Sequence, residues 1–439
     1  MESIQEPVVM RKIFLRLIPL LIVLYIISYL DRVNVGFAAL TMNKDLGLSS
    51  TIYGRGAGIF FIGYCLFEVP SNLLMVRVGA RRWIARILFT WGLAATAMAL
   101  VQGPDSFLAM RFILGVAEAG FFPAVVLYLT FWFPARYRGR IISTFMLSIP
   151  IALAVGAPVS TLIMELDGCW GLKGWQWLFI LEGLPGLLLT PVVLRTLTDS
   201  PASANWLTSA EKQWLQGELD QDVRASAAAA GGGAPMTVLQ VFKHPVILAL
   251  SFVYFCATAA NLGLSLFLPQ IIKQLGFTTM QTGLLSAVPY VFGCIGMVAI
   301  GYLSDHFNER KKFLIATMLI ATTGLGLAGW LGASVGAIAA LSFATIGILG
   351  CKGPFWPLPT QYMTGTSAAA GIAFINSLGN LGGFVGPSIV GLAKDLTHTF
   401  GSGLYALGGL ALLAALVTLL FVRVRRPVPT PGERAAAPA

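Results

Sequence analysis

Charged side chains are scarce in this 439-residue chain: Asp, Glu, Lys and Arg make up 11% of it, against 56% hydrophobic residues. An ordinary water-soluble surface draws on about 25% charge, so two or three soluble domains are excluded. Histidine is nearly absent, and His244, His306 and His398 stand apart in loops. That removes the His or Cys/Asp clusters a membrane-embedded hydrolase needs, so an enzyme is not expected. The five cysteines, Cys65, Cys169, Cys256, Cys294 and Cys351, have neither metal-ligand spacing nor a disulfide framework, and read as small apolar packing residues. No cofactor and no metal is implied. Acids number 19 against 29 bases, for a net charge of +10. The bases sit in short loops rather than along one aromatic-interleaved face, so nucleic acid is not an expected partner.

Long apolar runs fill the chain instead, with a mean hydropathy of +0.79. A run of about 20 residues spans a bilayer core of about 30 Å at 1.5 Å per residue, whereas barrel strands would be about ten residues long and alternating. Twelve runs fit the helical reading: 13–40, 52–76, 83–101, 107–133, 140–165, 176–197, 246–272, 281–303, 312–331, 335–360, 366–393 and 403–423. The run after Arg11 and Lys12 is too long for a signal peptide and is expected to be retained. The only long polar segment lies between runs six and seven. It holds an amphipathic stretch, Thr208 to Val223, then a low-complexity tract, Ala225 to Pro235, that reads as a flexible hinge. This divides the chain into a six-helix half (1–197), a linker with a short amphipathic helix (198–243), a second six-helix half (244–425) and a disordered tail (426–439).

Loop charge orients the spans. Arg77, Arg81, Arg82 and Arg86, then Arg136, Arg138 and Arg140, then Arg310, Lys311 and Lys312, then Arg423, Arg425 and Arg426 fall on one side, against isolated lysines such as Lys44, Lys173, Lys273 and Lys394 on the other. The positive-inside rule makes the first side, both termini and the linker cytoplasmic. The halves also repeat: Asn72 to Arg82 aligns with Gly301 to Lys311, and Glu118-Ala-Gly-Phe-Phe-Pro123 with Lys352-Gly-Pro-Phe-Trp-Pro357, at an offset of about 230 residues. The expected fold is an all-α membrane protein of twelve transmembrane helices in two pseudo-symmetric halves.

Asp31 and Arg32 interrupt the first run, and Arg111 and Glu118 the fourth. A charge near the bilayer centre costs roughly 3 kcal/mol on insertion scales, so such groups face a partner or a watery cavity. Counting rise places Asp31 about 9 Å and Arg111 about 12 Å from the midplane toward the same face, with Glu118 near the middle. Asp31 is therefore expected to answer Arg111, either as a helix-locking pair or in coupling. Arg111 and Glu118, seven residues apart, share a face within about 20°. Glu118, deeper and with no cation one turn away on its own helix, is the expected proton carrier. Arg32 turns about 100° from Asp31, and its planar fork suits an organic anion. Lys352, the repeat counterpart of Glu118, can meet a second carboxylate or pair with a helix-end carbonyl.

The segments SYLDRVNVGFAAL (28–40), FEVPSN (67–72), VGARRWIARI (78–87), RFILGVAEAGFFPAV (111–125) and WQWLFILEGLP (175–185), with the two gating-type loops, resemble the major facilitator superfamily. Within it they are similar to the anion:cation symporters, among them tartrate-, phthalate- and galactonate-type transporters. The resemblance implies a monomeric, proton-coupled importer of a small organic anion in the bacterial cytoplasmic (inner) membrane, working by alternating access, with drug or metabolite efflux as the alternative. It assigns proton coupling to Asp31, Glu118 and Arg111, and substrate binding to Arg32, Tyr29, Tyr64, Trp356 and Asn376. It assigns gating to Arg77, Gly79, Arg81, Gly301, Asp305 and Arg310. Val76 stands where the first gating loop of the family carries an acid, so a charge-stabilised gate is expected at Asp305. Apolar residues around Ile149 favour a dicarboxylate, tartrate-like or aromatic acid over a sugar acid.

Overall fold

The computed structural model describes residues 6–230, 238–363 and 365–422. Among them every regular element is a helix. Eleven stretches are long and apolar enough to cross a membrane: Glu6–Asp45, Ser50–Val78, Ala80–Leu100, Pro104–Thr130, Ala135–Met164, Gly174–Thr196, Pro245–Lys273, Thr279–His306, Arg310–Leu331, Val335–Phe355 and Gly401–Phe421. The eleventh apolar run of the sequence is built as two shorter helices, Gly365–Asn380 and Gly382–Thr397. With that pair in eleventh place the spans number twelve, six before the polar linker and six after it.

Several spans are broken where the sequence carries unusual residues. The first divides at Asn34 into Glu6–Val33 and Val35–Asp45. The fourth divides immediately after Glu118, at Ala119 and Gly120, into Pro104–Glu118 and Phe121–Thr130. The tenth divides at Cys351, before Lys352. Asn34 and Cys351 keep right-handed helical torsions, so of these three only the fourth-span break has non-helical backbone, which at membrane depth survives only where protein or a cavity surrounds it. Gly120 makes the fourth-span break possible: its φ of +84° is left-handed, and a Cβ there would stand 2.5 Å from Ser71 Oγ.

Small residues let the two halves approach closely at one end. Gly54 lies against the Pro387 carbonyl, Gly58 against Phe384 and Gly391 against Ser50, joining the second span to the eleventh. Asp395 closes this end, accepting from the backbone N–H of Ser50 (3.1 Å) and Thr51 (2.7 Å). Tyr53 Oη donates to the Leu266 carbonyl at 2.7 Å. Gly382 and Gly386 press on the seventh-span carbonyls of Phe255 and Ala259, so they serve helix packing.

The linker is more helical than its composition implies. Its helix runs Ser209–Ala230, past Val223 and into the alanine tract read as hinge; 231–237 and the tail 426–439, with Arg423, Arg425 and Arg426, lie outside the described residues. The helix is fastened to the first half. Lys12 pairs with Glu211 (2.9 Å), Arg136 with Glu218 (2.7 Å) and Arg138 with Asp222 (3.6 Å), while Trp206 stacks on Trp132.

Candidate functional site

A cavity of about 90 Å³ lies between the halves. Tyr25, Tyr29, Arg32 and Tyr64 line it from the first half, and Lys352, Trp356 and Asn376 from the second. The structure thus brings together Lys352 and the five residues assigned to substrate binding, Arg32, Tyr29, Tyr64, Trp356 and Asn376. Ile149 adds an apolar wall, and Thr258, Asn261 and Asn380 add polar groups that the sequence reading missed.

The charges pair differently from the expectation. Arg32 Nε lies 2.7 Å from Glu118 Oε1, and Ser28 Oγ donates to the same oxygen at 2.5 Å. Glu118 is fully buried and its Oε2 has no partner among the described residues, while the Arg32 side chain keeps 12% of its exposure, on the cavity wall. The guanidinium also sits over the Tyr64 ring at 4.9 Å. A cation expected to await substrate is therefore held by the carboxylate expected to carry a proton.

Asp31 and Arg111 make no ion pair. Asp31 accepts from Trp91 Nε1 (2.7 Å) and Asn34 Nδ2 (3.2 Å). Arg111, fully buried, donates to the carbonyls of Ala57 (3.1 Å) and Gly56 (3.4 Å) and stands over the Phe60 ring. Equal depth did not make them partners, because the fourth span turns Arg111 toward the second span while Asp31 faces the third. Three further acids went unnoticed. Glu182 accepts from Ser160 Oγ (2.7 Å), and Glu68 accepts from Asn376 Nδ2 (2.9 Å) across the seam between halves. Both lie inside apolar runs, the signal that singled out Asp31.

The third missed acid is Asp199, at the first gating loop. Gly79 (φ +97°) turns the chain between the second and third spans, and a Cβ there would lie 2.9 Å from Asp199 Oδ1. The same carboxylate accepts from the Arg81 N–H at 2.8 Å, so an acid from beyond the sixth span stands where Val76 supplies none. Arg77 is exposed. In the second half Asn308 occupies the position of Gly79, also at positive φ (51°), and Asp305 pairs with Arg310 at 2.7 Å. The repeat is thus conformational as well as sequential, with Asn tolerating the left-handed turn that Gly takes in the first copy. Gly301 packs against Gly353, which would meet it at 2.9 Å if it carried a Cβ.

The Major Facilitator Superfamily profile matches residues 21–387. A relative from Agrobacterium vitis named "Putative tartrate transporter" is 48% identical, covering 96% of each chain. A "Quinolone resistance transporter" from Acinetobacter baumannii is 44% identical over 96% of each chain. Among solved structures, a D-xylose-proton symporter superposes with a TM-score of 0.75 at 18% identity, covering 93% of this chain and 98% of that one. At that identity the likeness concerns the fold.

Proposed function

Since this chain belongs to the Major Facilitator Superfamily and is a membrane transporter rather than an enzyme, we propose that it carries a small organic anion, tartrate or a similar carboxylate, into the cell together with protons. The observation that carries the reading is the Arg32–Glu118 ion pair of 2.7 Å at the cavity wall. A proton on Glu118 removes the charge that holds Arg32. The freed guanidinium takes a substrate carboxylate in a planar fork, so one anion replaces another and the buried cation is never left unpaired. Proton and anion then favour the same state, which coupling requires.

Lys352 across the cavity offers a second cation for a diacid, and the 48% identical relative bears a tartrate name. In this reading the basic loops face the cytoplasm, the Asp395 end faces outward and is closed, and the protein sits as a monomer in the inner membrane. Asp31, buried on Trp91, shares in coupling while Arg111 holds the second span in place.

Purified protein in liposomes tests the proposal. Wild type should accumulate labelled tartrate under an inward proton gradient, and Glu118→Gln should bind tartrate yet lose gradient-driven accumulation. Undiminished accumulation by Glu118→Gln would remove that carboxylate from coupling. The quinolone-resistance relative favours a second reading, export by proton antiport. Proton-driven quinolone movement with no tartrate uptake would decide for it.

A further inference from the structure

Glu68 is 5% exposed, and the Ser377 side chain stands close to its carboxylate. It stands one turn beyond the cavity residue Tyr64, and the Arg32 charge acts on it. Its Oε1 takes the amide of Asn376 at 2.9 Å, and Asn376 lines the cavity from the opposite half. Beside this contact Cys65 Sγ lies 3.5 Å from the Ser377 carbonyl. The second and eleventh spans therefore meet along about 27 Å, from Asp395 with Ser50 and Thr51, through the glycine contacts at Gly54 and Gly58, to Glu68, 18 residues further along. A rocking transporter cannot keep both contacts, since opening to either side parts these spans at one end.

We propose that Glu68 is a tethered internal carboxylate that closes the seam of the cavity by holding the Asn376 amide, and that an incoming carboxylate must displace it to use that amide. While ionised, Glu68 is a poor neighbour for a bound anion, and its bond to Asn376 is charge-assisted and therefore stronger than a neutral one. Closure of the seam and occupation of Asn376 by substrate exclude each other. The displacement half of this inference rests on the organic-anion reading above; the latch half does not.

Two measurements separate those halves. With the other four cysteines changed to serine, Ser377→Cys should form a disulfide with the native Cys65 on mild oxidation. Glu68→Ala should slow that reaction about tenfold, the size of one charged hydrogen bond, and Glu68→Gln, which still accepts from Asn376, should slow it less. Equal rates in all three chains would overturn the latch. Separately, Glu68→Gln should tighten tartrate binding about tenfold in the wild-type background and much less in Asn376→Ala. An identical gain in both backgrounds would overturn competition for Asn376. No tartrate binding by any chain would sink the substrate assignment while the disulfide rates still judge the latch.

Discussion

At the scale of single residues, each buried acid here owes its state to the donors around it. Asp31 is 1% exposed and depends on Trp91 Nε1 at 2.7 Å for its Oδ2. Trp91→Phe keeps an aromatic side chain but removes that donor and part of a fully buried indole, so a bare carboxylate oxygen costs about 1–3 kcal/mol and the vacated space adds to the loss. Thermal unfolding in detergent should show the loss, and a melting temperature unchanged from wild type would mean that water or another donor replaces the indole. Sequence reasoning found Asp31, Arg111 and Glu118 because charge in an apolar run is conspicuous. Their partners were not legible: depth along a helix follows from counting, but azimuth relative to neighbours is set by packing between spans. Counting gave Asp31 and Arg111 the same level, and packing turned them apart. Glu68 and Glu182 were legible by the same criterion and were passed over because each lay within a motif read for its family resemblance.

At the scale of elements, breaks matter more than lengths. Apolar runs mark the spans well, yet the interruptions at Asn34, Ala119–Gly120 and Cys351 carry no clear periodicity signal, because a short polar or glycine step looks the same in a continuous helix. The fourth-span break holds Glu118 at its edge. Gly120→Ala should add about 1–2 kcal/mol of left-handed strain and a contact with Ser71, shift Glu118 and weaken tartrate binding together with stability. Unaltered binding would show that the carboxylate is held by Ser28 and Arg32 alone.

The linker helix makes a different prediction. Burial opposes ionisation of Glu211, but hydrogen bonds from the Thr208 N–H and from Lys12 outweigh it and hold its carboxyl below the usual glutamate range. A depressed folded value means that the contact stabilises docking above the ordinary range near pH 4 and is lost as pH falls through it. Hydrogen exchange at residues 209–222 should stay slow from pH 8 to 5, once corrected for intrinsic rates. Protection that fails already at pH 6 would assign docking to other groups.

At the scale of the whole molecule, the two halves are held together at one end by backbone packing of glycines, by the Tyr53–Leu266 hydrogen bond and by the Asp395 carboxylate. Asp395 caps the first turn of a helix that belongs to the other half, taking the N–H groups of Ser50 and Thr51. Removing a cap of this kind costs about 1 kcal/mol. In a lone helix that would be a stability term, but here it bears on an equilibrium between closed and open forms of one end. A bias of about 1.4 kcal/mol shifts such an equilibrium tenfold. Asp395→Ala should therefore expose the cavity to the Asp395 side several-fold more often, without unfolding either half. In a chain whose five native cysteines are changed to serine, a cysteine placed at Thr258, on the cavity wall, reports this through its labelling rate with a membrane-impermeant thiol reagent added from that side. Labelling that does not rise in Asp395→Ala would mean that the glycine contacts at Gly54, Gly58 and Gly391 and the Tyr53–Leu266 hydrogen bond hold that end closed without Asp395.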